Sequence, residues 1–74
     1  GSTKFYLEVR SKRFAKAVEL RLEGIEVDFS DNYFDLLPGA SKKISAETER
    51  PINLDEFERR LRVRSLSDDC RISL

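Results

Sequence analysis

The sequence lacks histidine, contains a single cysteine and has no long apolar run. Because Cys70 is alone, no disulfide can form within the chain. No apolar run approaches the ~20 residues of a membrane-spanning helix, and no signal peptide is recognisable. The chain also lacks a glycine-rich phosphate loop, so an active site of its own is not expected. We therefore expect no catalytic residue, no cofactor site and no metal site in this chain.

An excess of charge of either sign is also missing. The 14 Lys and Arg residues equal the 14 Asp and Glu residues, which gives a formal net charge of +0. The two halves are balanced as well, with six basic and seven acidic residues in 1–37 and eight and seven in 38–74. A nucleic acid or an anionic membrane is thus not an expected partner. We expect a soluble chain, whose cellular compartment the sequence does not give.

The 74 residues are enough for one small domain. A chain of this size buries about 60% of the surface that its unfolded form exposes, so its core must be economical. Five Phe and two Tyr residues supply large apolar side chains for it. Gly1 and Ser2 resemble a cloning remnant, so we assign residues 1–3 to that remnant and residues 4–74 to the domain. On this interpretation the natural protein begins elsewhere.

Apolar and charged residues alternate along most of the chain. This period of two is typical of half-buried antiparallel strands. Six or seven such short strands predict an all-β sandwich or barrel. The side chains predicted to point inward are Phe5, Leu7, Val18, Leu20, Leu22, Val27, Phe29, Ile44, Leu61, Val63 and Ile72.

Residues 53–61 break this pattern. Leu54, Phe57 and Leu61 follow helical spacing. Asn53 is a favourable N-cap, and Glu56 stands three residues later, as in a capping box. Acidic residues in the first turn and basic residues in the last suit the helix dipole. We predict a helix of about two turns that covers an open end or edge of the sandwich through Leu54 and Phe57.

Residues 30–39, "SDNYFDLLPG", predict a turn, a short strand and a second turn. Asp31 and Asn32 are expected to bond to the backbone where the preceding strand ends. Pro38 and Gly39 suit the second and third positions of a type II turn, where Gly tolerates a positive φ. The side chains expected to point inward are Phe34, Leu36 and Leu37, so the strand must end or twist near Leu37.

The same region allows two further interpretations. Asp28, Asp31 and Asp35 are close in sequence, but their spacing is not that of a calcium loop, so turn formation is the favoured role. Exposed aromatic rings at Tyr6, Tyr33 and Phe34 would suit a sugar-stacking platform. We favour core or rim packing for these three side chains.

Two other sets of residues have simple structural explanations. Alternation with Ile72 and Leu74 predicts that Cys70 is a small buried hydrophobic residue. A run of four arginines lies near the end of the chain, with acidic residues beside it and alternation at a period of two. This pattern indicates one exposed face rather than a nucleic-acid site. The members of the run are Arg59, Arg60, Arg62 and Arg64.

Three segments carry a resemblance to a known family. "VRSKRFAKAVELRLEG", "VDFSDNYFDLLPG" and the closing "LDEFERRLRVRSLSDD" resemble the carboxy-terminal immunoglobulin-like domain of glycoside hydrolase family 2 beta-mannosidases. The resemblance extends from about Val9 to Asp69, and "FSDNYFDLLPG" is its most specific part. The Ala40-Ser41-Lys42 stretch departs from it, since the family often has an acidic residue after the Gly.

The resemblance implies a small immunoglobulin-like antiparallel β-sandwich with one short helix. It also implies a parent hydrolase of carbohydrate metabolism, a retaining glycosidase that removes terminal beta-linked mannose, with its catalytic glutamates in a separate barrel. The expected partners are the other domains of that enzyme, and the mannoside would be bound by the parent. Two alternatives are a carbohydrate-binding module and an immunoglobulin-like protein-interaction domain of unrelated origin.

Overall fold

The computed structural model describes residues 2–66 and 70–74. In that part of the chain, the elements follow the order β1 (Thr3–Ser11), β2 (Ala15–Leu22), β3 (Val27–Phe29), β4 (Phe34–Leu36), β5 (Ser41–Thr48), α1 (Leu54–Arg60), β6 (Leu61–Arg64) and β7 (Cys70–Ser73). Residues 67–69, which end the closing segment of the family resemblance, lie outside the described residues. The start of β1 at Thr3 does not decide whether residues 1–3 are a cloning remnant, and that assignment stays a prediction.

The strands form two antiparallel sheets. The four-stranded sheet has the order β3-β5-β1-β7, and the three-stranded sheet has the order β4-β2-β6. The longest ladder joins β1 to β5, from the pair Thr3 and Thr48 to the pair Arg10 and Ser41. One core of apolar side chains from both sheets lies between them. The predicted all-β sandwich with one short helix is confirmed.

The core contains all the side chains that the alternation predicted to point inward. Those of β1, β2 and β5 are buried, and those of β3, β6 and β7 are half-buried and pack against the buried set. Charged and polar residues alternate with them on the outer faces. Period-two patterning therefore predicted the register correctly, because a slip of one residue would exchange the two faces of a strand.

A β-bulge near the start of β2 interrupts the alternation. Ala15 and Val18 are both buried, while Lys16 and Ala17 between them are exposed, and the pairing with β4 shifts at this point. Ala17 has a left-handed backbone with φ of 56°. Its N–H donates to the Asp35 carboxylate at 2.9 Å. The side chains predicted to point inward did not include Ala15, so its contribution to the core was missed.

The predicted helix forms α1, and its N-cap is confirmed. The Asn53 side chain accepts a hydrogen bond from the Glu56 N–H at 2.8 Å. Phe57 is completely buried, and its ring stacks on that of Phe5 with centroids 4.2 Å apart. Leu54, in contrast, is exposed, so the prediction that it covers the sandwich is wrong. Leu54 is the first residue of the helix and lies about one turn before Phe57. In a helix this short, only the residue near the centre is buried.

In the segment 30–39, the predicted short strand β4 and the second turn are confirmed, whereas residues 30–33 form a bend in place of the first turn. Phe34 and Leu36 are buried, but Leu37 is exposed, so its predicted inward orientation is wrong. No bulge separates Leu37 from the buried Leu36. The Leu37 side chain therefore points outward, as the alternation of a regular strand requires. The Ala40 N–H donates to the Leu37 carbonyl at 2.9 Å, and Gly39 has φ of 77°, which confirms the type II turn.

Candidate functional site

The three aspartates that suggested a calcium loop have separate roles. Asp31 forms a salt bridge with Lys42 of β5, and this contact holds the pKa of the Asp31 carboxyl below its ordinary value. Asp35 accepts the hydrogen bond from the Ala17 N–H. Asp28 lies opposite Glu47 in the ladder of β3 and β5. Within residues 2–66 and 70–74, no three acidic, histidine or cysteine side chains are arranged to hold a metal ion.

Asn32 links the segment before β4 to the edge of β2. Its side-chain oxygen accepts from the Leu20 N–H at 2.7 Å, and its amide nitrogen donates to the Leu20 carbonyl at 2.9 Å. The amide thus reproduces the two hydrogen bonds that a neighbouring strand would provide. The same oxygen accepts from the Tyr33 N–H, and the Asn32 N–H donates to Asp31. The predicted bonds of Asp31 and Asn32 to the backbone are confirmed, but the contact with Leu20 was not anticipated.

The candidate aromatic platform does not assemble. Phe34 is buried, with the Lys42 ammonium 4.9 Å from the centre of its ring. Tyr6 and Tyr33 are exposed rather than packed in the core. Tyr6 lies on β1 of the four-stranded sheet, whereas the Tyr33 hydroxyl donates to Glu19 on β2 of the three-stranded sheet. Of the expected core or rim packing, core packing is confirmed for Phe34, whereas Tyr6 and Tyr33 lie outside the core and beside different sheets.

Three of the four arginines in the basic run, Arg60, Arg62 and Arg64, form salt bridges with acidic residues of this domain. Arg60 pairs with Glu56 at 2.9 Å within α1. Across the β2–β6 ladder and the turn beside it, the pairs are Arg62 with Glu23 at 2.9 Å and Arg64 with Glu19 at 3.3 Å. Exposed pairs of this kind contribute little to stability. They do offset the positive charge locally, which agrees with the prediction of one exposed face.

Cys70 lies at the start of β7, opposite Ser11 of β1. Its side chain is half-buried against the core, and its thiol is 3.7 Å from the Ser65 hydroxyl. The expectation of a small hydrophobic residue holds, although Cys70 is less buried than predicted.

Of the seven large apolar side chains that are exposed in the described part of the chain, four belong to segments next to the strands of the three-stranded sheet, on its outer surface. These four are Phe14, Tyr33, Leu37 and Leu66, which are 44%, 70%, 67% and 79% exposed. We call this surface the Tyr33 face.

The geometry of the strands brings these four side chains to one surface. Ala15 pairs with Leu36, so Phe14 and Leu37 follow at the next opposite positions of the antiparallel ladder. The Leu66 N–H donates to the Lys16 carbonyl at 3.1 Å, which fixes Leu66 on the other side of β2.

Tyr33 is held in place on this face. Its hydroxyl donates to the Glu19 carboxylate at 2.9 Å, and that contact raises the pKa of Tyr33 above its ordinary value. Glu19 in turn contacts Arg64. Little in the sequence indicates this group, because its members are separated by up to 52 positions and only pairing of the strands brings them together.

Two antiparallel sheets around one core, with a short helix at one side, define this protein as a small immunoglobulin-like β-sandwich. The chain matches the family model Ig_mannosidase, described as an Ig-fold domain, over residues 1–69. It therefore belongs to that family of non-catalytic Ig-fold domains, which is associated with mannosidases. This confirms the family recognised from the sequence segments and opposes an unrelated origin.

No curated protein and no solved structure shows significant similarity to the chain. Among the described residues, no helix has the length and apolar character needed to cross a bilayer.

Proposed function

We propose that this chain is a non-catalytic accessory domain of a multidomain beta-mannosidase-like glycoside hydrolase. The parent enzyme removes terminal beta-linked mannose and carries its catalytic residues in another domain. The role of this domain is to pack against its neighbours in the same polypeptide. The observation that carries the proposal is the match to the Ig-fold family Ig_mannosidase over nearly the whole chain.

The structure supports an accessory role in two ways. The domain has its own core, so it can serve as a folded unit. Several of its acidic side chains bind partners within the domain, such as Lys42, Arg62 and the Ala17 N–H, which suits a structural role.

The first test is an activity assay of the purified chain against a chromogenic beta-mannoside. We expect no hydrolysis above a heat-inactivated control. Turnover that persists through further purification would contradict the proposal. The sequence that precedes the domain in its gene provides a second test, since a barrel of about 250 residues is expected there.

A titration with mannose, mannobiose and mannan separates the accessory role from that of a carbohydrate-binding module. We expect no saturable change in the fluorescence of Tyr6 or Tyr33, the two exposed tyrosines. Saturable binding of any of these sugars would favour the binding module.

A further inference from the structure

We propose that the Tyr33 face is the surface through which this domain packs against a neighbouring domain of the same polypeptide. The inference rests on the proposed function and specifies which surface makes the contact. The partner surface is expected to be apolar or aromatic at its centre, with polar or acidic groups where it meets Lys16 and Arg21, the exposed basic residues of β2.

The side chains of the Tyr33 face have the composition of an interface centre. Aromatic residues are enriched at the cores of protein interfaces, and a few of them supply most of the binding energy. Tyr33 is the best placed anchor, because its hydroxyl is already bound to Glu19 and its ring is 70% exposed. Little conformational freedom is lost when such a preorganised side chain is covered. Leu37 and Leu66 add exposed aliphatic surface to the same face.

The carboxylates of this face are already paired within the domain, whereas Lys16 and Arg21 of β2 are exposed basic residues beside it. Glu19 is bound by Tyr33 and Arg64, and Glu23 is bound by Arg62. Asp35 accepts the hydrogen bond from the bulge. Because these carboxylates are satisfied within the domain, an apolar partner could cover the face without leaving them unpaired.

The backbone also singles out this face. Of the described residues, the two non-glycine residues with positive φ are Ala17, at 56°, and Tyr33, at 55°. Ala17 belongs to the bulge of β2, and Tyr33 directly precedes β4, so both lie in the three-stranded sheet or beside it. Unfavourable backbone conformations and bulges concentrate where a fold directs side chains for function.

The size of the face indicates a tethered domain rather than a second copy of the chain. Three strands about 4.8 Å apart, at ~3.3 Å per residue over the length of β2, present a face of roughly 400 Å². Stable complexes of separate proteins bury about 800 Å² on each partner. Contacts between domains of one chain bury as little as about 300 Å² on each side, because the covalent link removes most of the entropic cost.

Hydroxyl-radical footprinting of this chain and of the full-length parent polypeptide tests the inference. The method labels exposed Tyr, Phe and Leu side chains. We expect labelling of Tyr33, Leu37 and Leu66 to fall several-fold in the parent. Tyr6 and Leu54, which are exposed elsewhere on the domain, should be labelled equally in both proteins and serve as internal controls.

A pair of variants of the parent strengthens the test. Leu37→Glu combined with Leu66→Glu should restore the labelling of Tyr33 to the level of the separate domain, whereas the matched control Tyr6→Glu should not. The separate domain with the same two substitutions should keep its urea midpoint, because both leucines are exposed. A large loss of that midpoint would mean that the leucines act within the fold, and it would overturn the inference.

The possible footprints distinguish the inference from the proposed function. Protection of Tyr6 or Leu54 in place of Tyr33 would retain interdomain packing and overturn the assignment of the face. If no described side chain is protected in the parent, the proposed packing fails as well. If protection of Tyr33 increases with the concentration of the separate chain, the occupant is a second copy and the inference is wrong.

Discussion

Four residues in the described part of the chain have a left-handed backbone, and two of them are glycines. Gly39 and Gly24 have φ of 77° and 76° and lie in turns. A Cβ at Gly39 would meet no atom within 4 Å, whereas one at Gly24 would lie 2.8 Å from an Arg60 nitrogen. That Arg60 nitrogen donates to the Glu23 carbonyl at 3.0 Å. Both glycines are therefore required for their backbone conformation, because the Arg60 nitrogen near Gly24 is the end of a flexible side chain that can move aside.

At this scale, we predict that Gly39→Ala destabilises the domain by about 1–2 kcal/mol, the cost of a left-handed L-residue. The reverse change at the bulge, Ala17→Gly, should relieve a similar strain. Its gain should be smaller, up to about 1 kcal/mol, because glycine also makes the unfolded chain more flexible. Urea unfolding of both variants measures the two effects. An unchanged midpoint for Gly39→Ala would reject the turn, and a large loss for Ala17→Gly would reject strain at the bulge.

Among the elements, α1 is attached to the sandwich mainly by one residue. Phe57 is completely buried and stacks on Phe5 with an interplanar angle of 17°. The C-terminal end is fixed separately, since the Glu23 N–H donates to the Arg60 carbonyl at 2.9 Å. A helix of seven residues is too short to be stable alone, so its formation depends on these tertiary contacts.

For this element, we predict that Phe57→Ala costs about 3–5 kcal/mol, because it leaves a cavity beside Phe5. Leu54→Ala is the matched control in the same helix, and its cost should stay within about 0.5 kcal/mol because Leu54 is exposed. Thermal unfolding of the two variants measures both losses of stability. Equal losses would mean that Leu54 and Phe57 share the buried contact after all.

For the whole molecule, the charges cancel in number but not in position. The outer surface of β3 and β5 brings Asp28 opposite Glu47, a pair of like charges that disfavours this ladder. Elsewhere on the four-stranded sheet, Arg10 bonds to Glu8 at 2.7 Å and lowers the pKa of the Glu8 carboxyl. In the same way, Lys42 lowers the pKa of the Asp31 carboxyl. Among the described residues, Glu8 and Asp31 therefore have carboxyl groups whose ionised forms are favoured by folding.

The sign of the pH dependence follows from these two groups. A carboxyl whose pKa is lowered by folding stabilises the native state above its unfolded pKa, which is 3.8 for Asp31. That contribution is lost as the pH falls through the lower pKa of the folded state. We therefore predict that the urea midpoint declines as the pH is lowered from about 6 towards 2. Most of the decline should occur at about pH 4 and below, where carboxyl groups usually become protonated.

Lys42→Met provides the control for this effect, because it removes the charge beside Asp31 and retains an apolar side chain near Phe34. Its urea midpoint should depend less on pH between about 4 and 2 than that of the wild type. Identical acid dependence in the two proteins would mean that the salt bridge of Asp31 does not contribute.

The sequence by itself determined what depends on neighbouring residues. Alternation predicted the strands and their inward faces because side chains of a strand point to opposite sides in turn. Asn53 predicted the start of α1, and Pro38-Gly39 predicted the turn, since capping and turn conformations are set within four residues. The segments that resemble the family are continuous stretches of sequence, so they could be recognised without the fold.

Tertiary structure decided the features that join distant residues. The bond of Asn32 to Leu20 spans 12 positions, and the pairing of β2 with β4 determines where the bulge at Ala17 falls. The outward orientation of Leu37 and Leu54 depends on where a strand or helix meets the core, which local periodicity does not contain. The Tyr33 face arises for the same reason: its side chains become neighbours only when β4 and β6 pair with the two edges of β2.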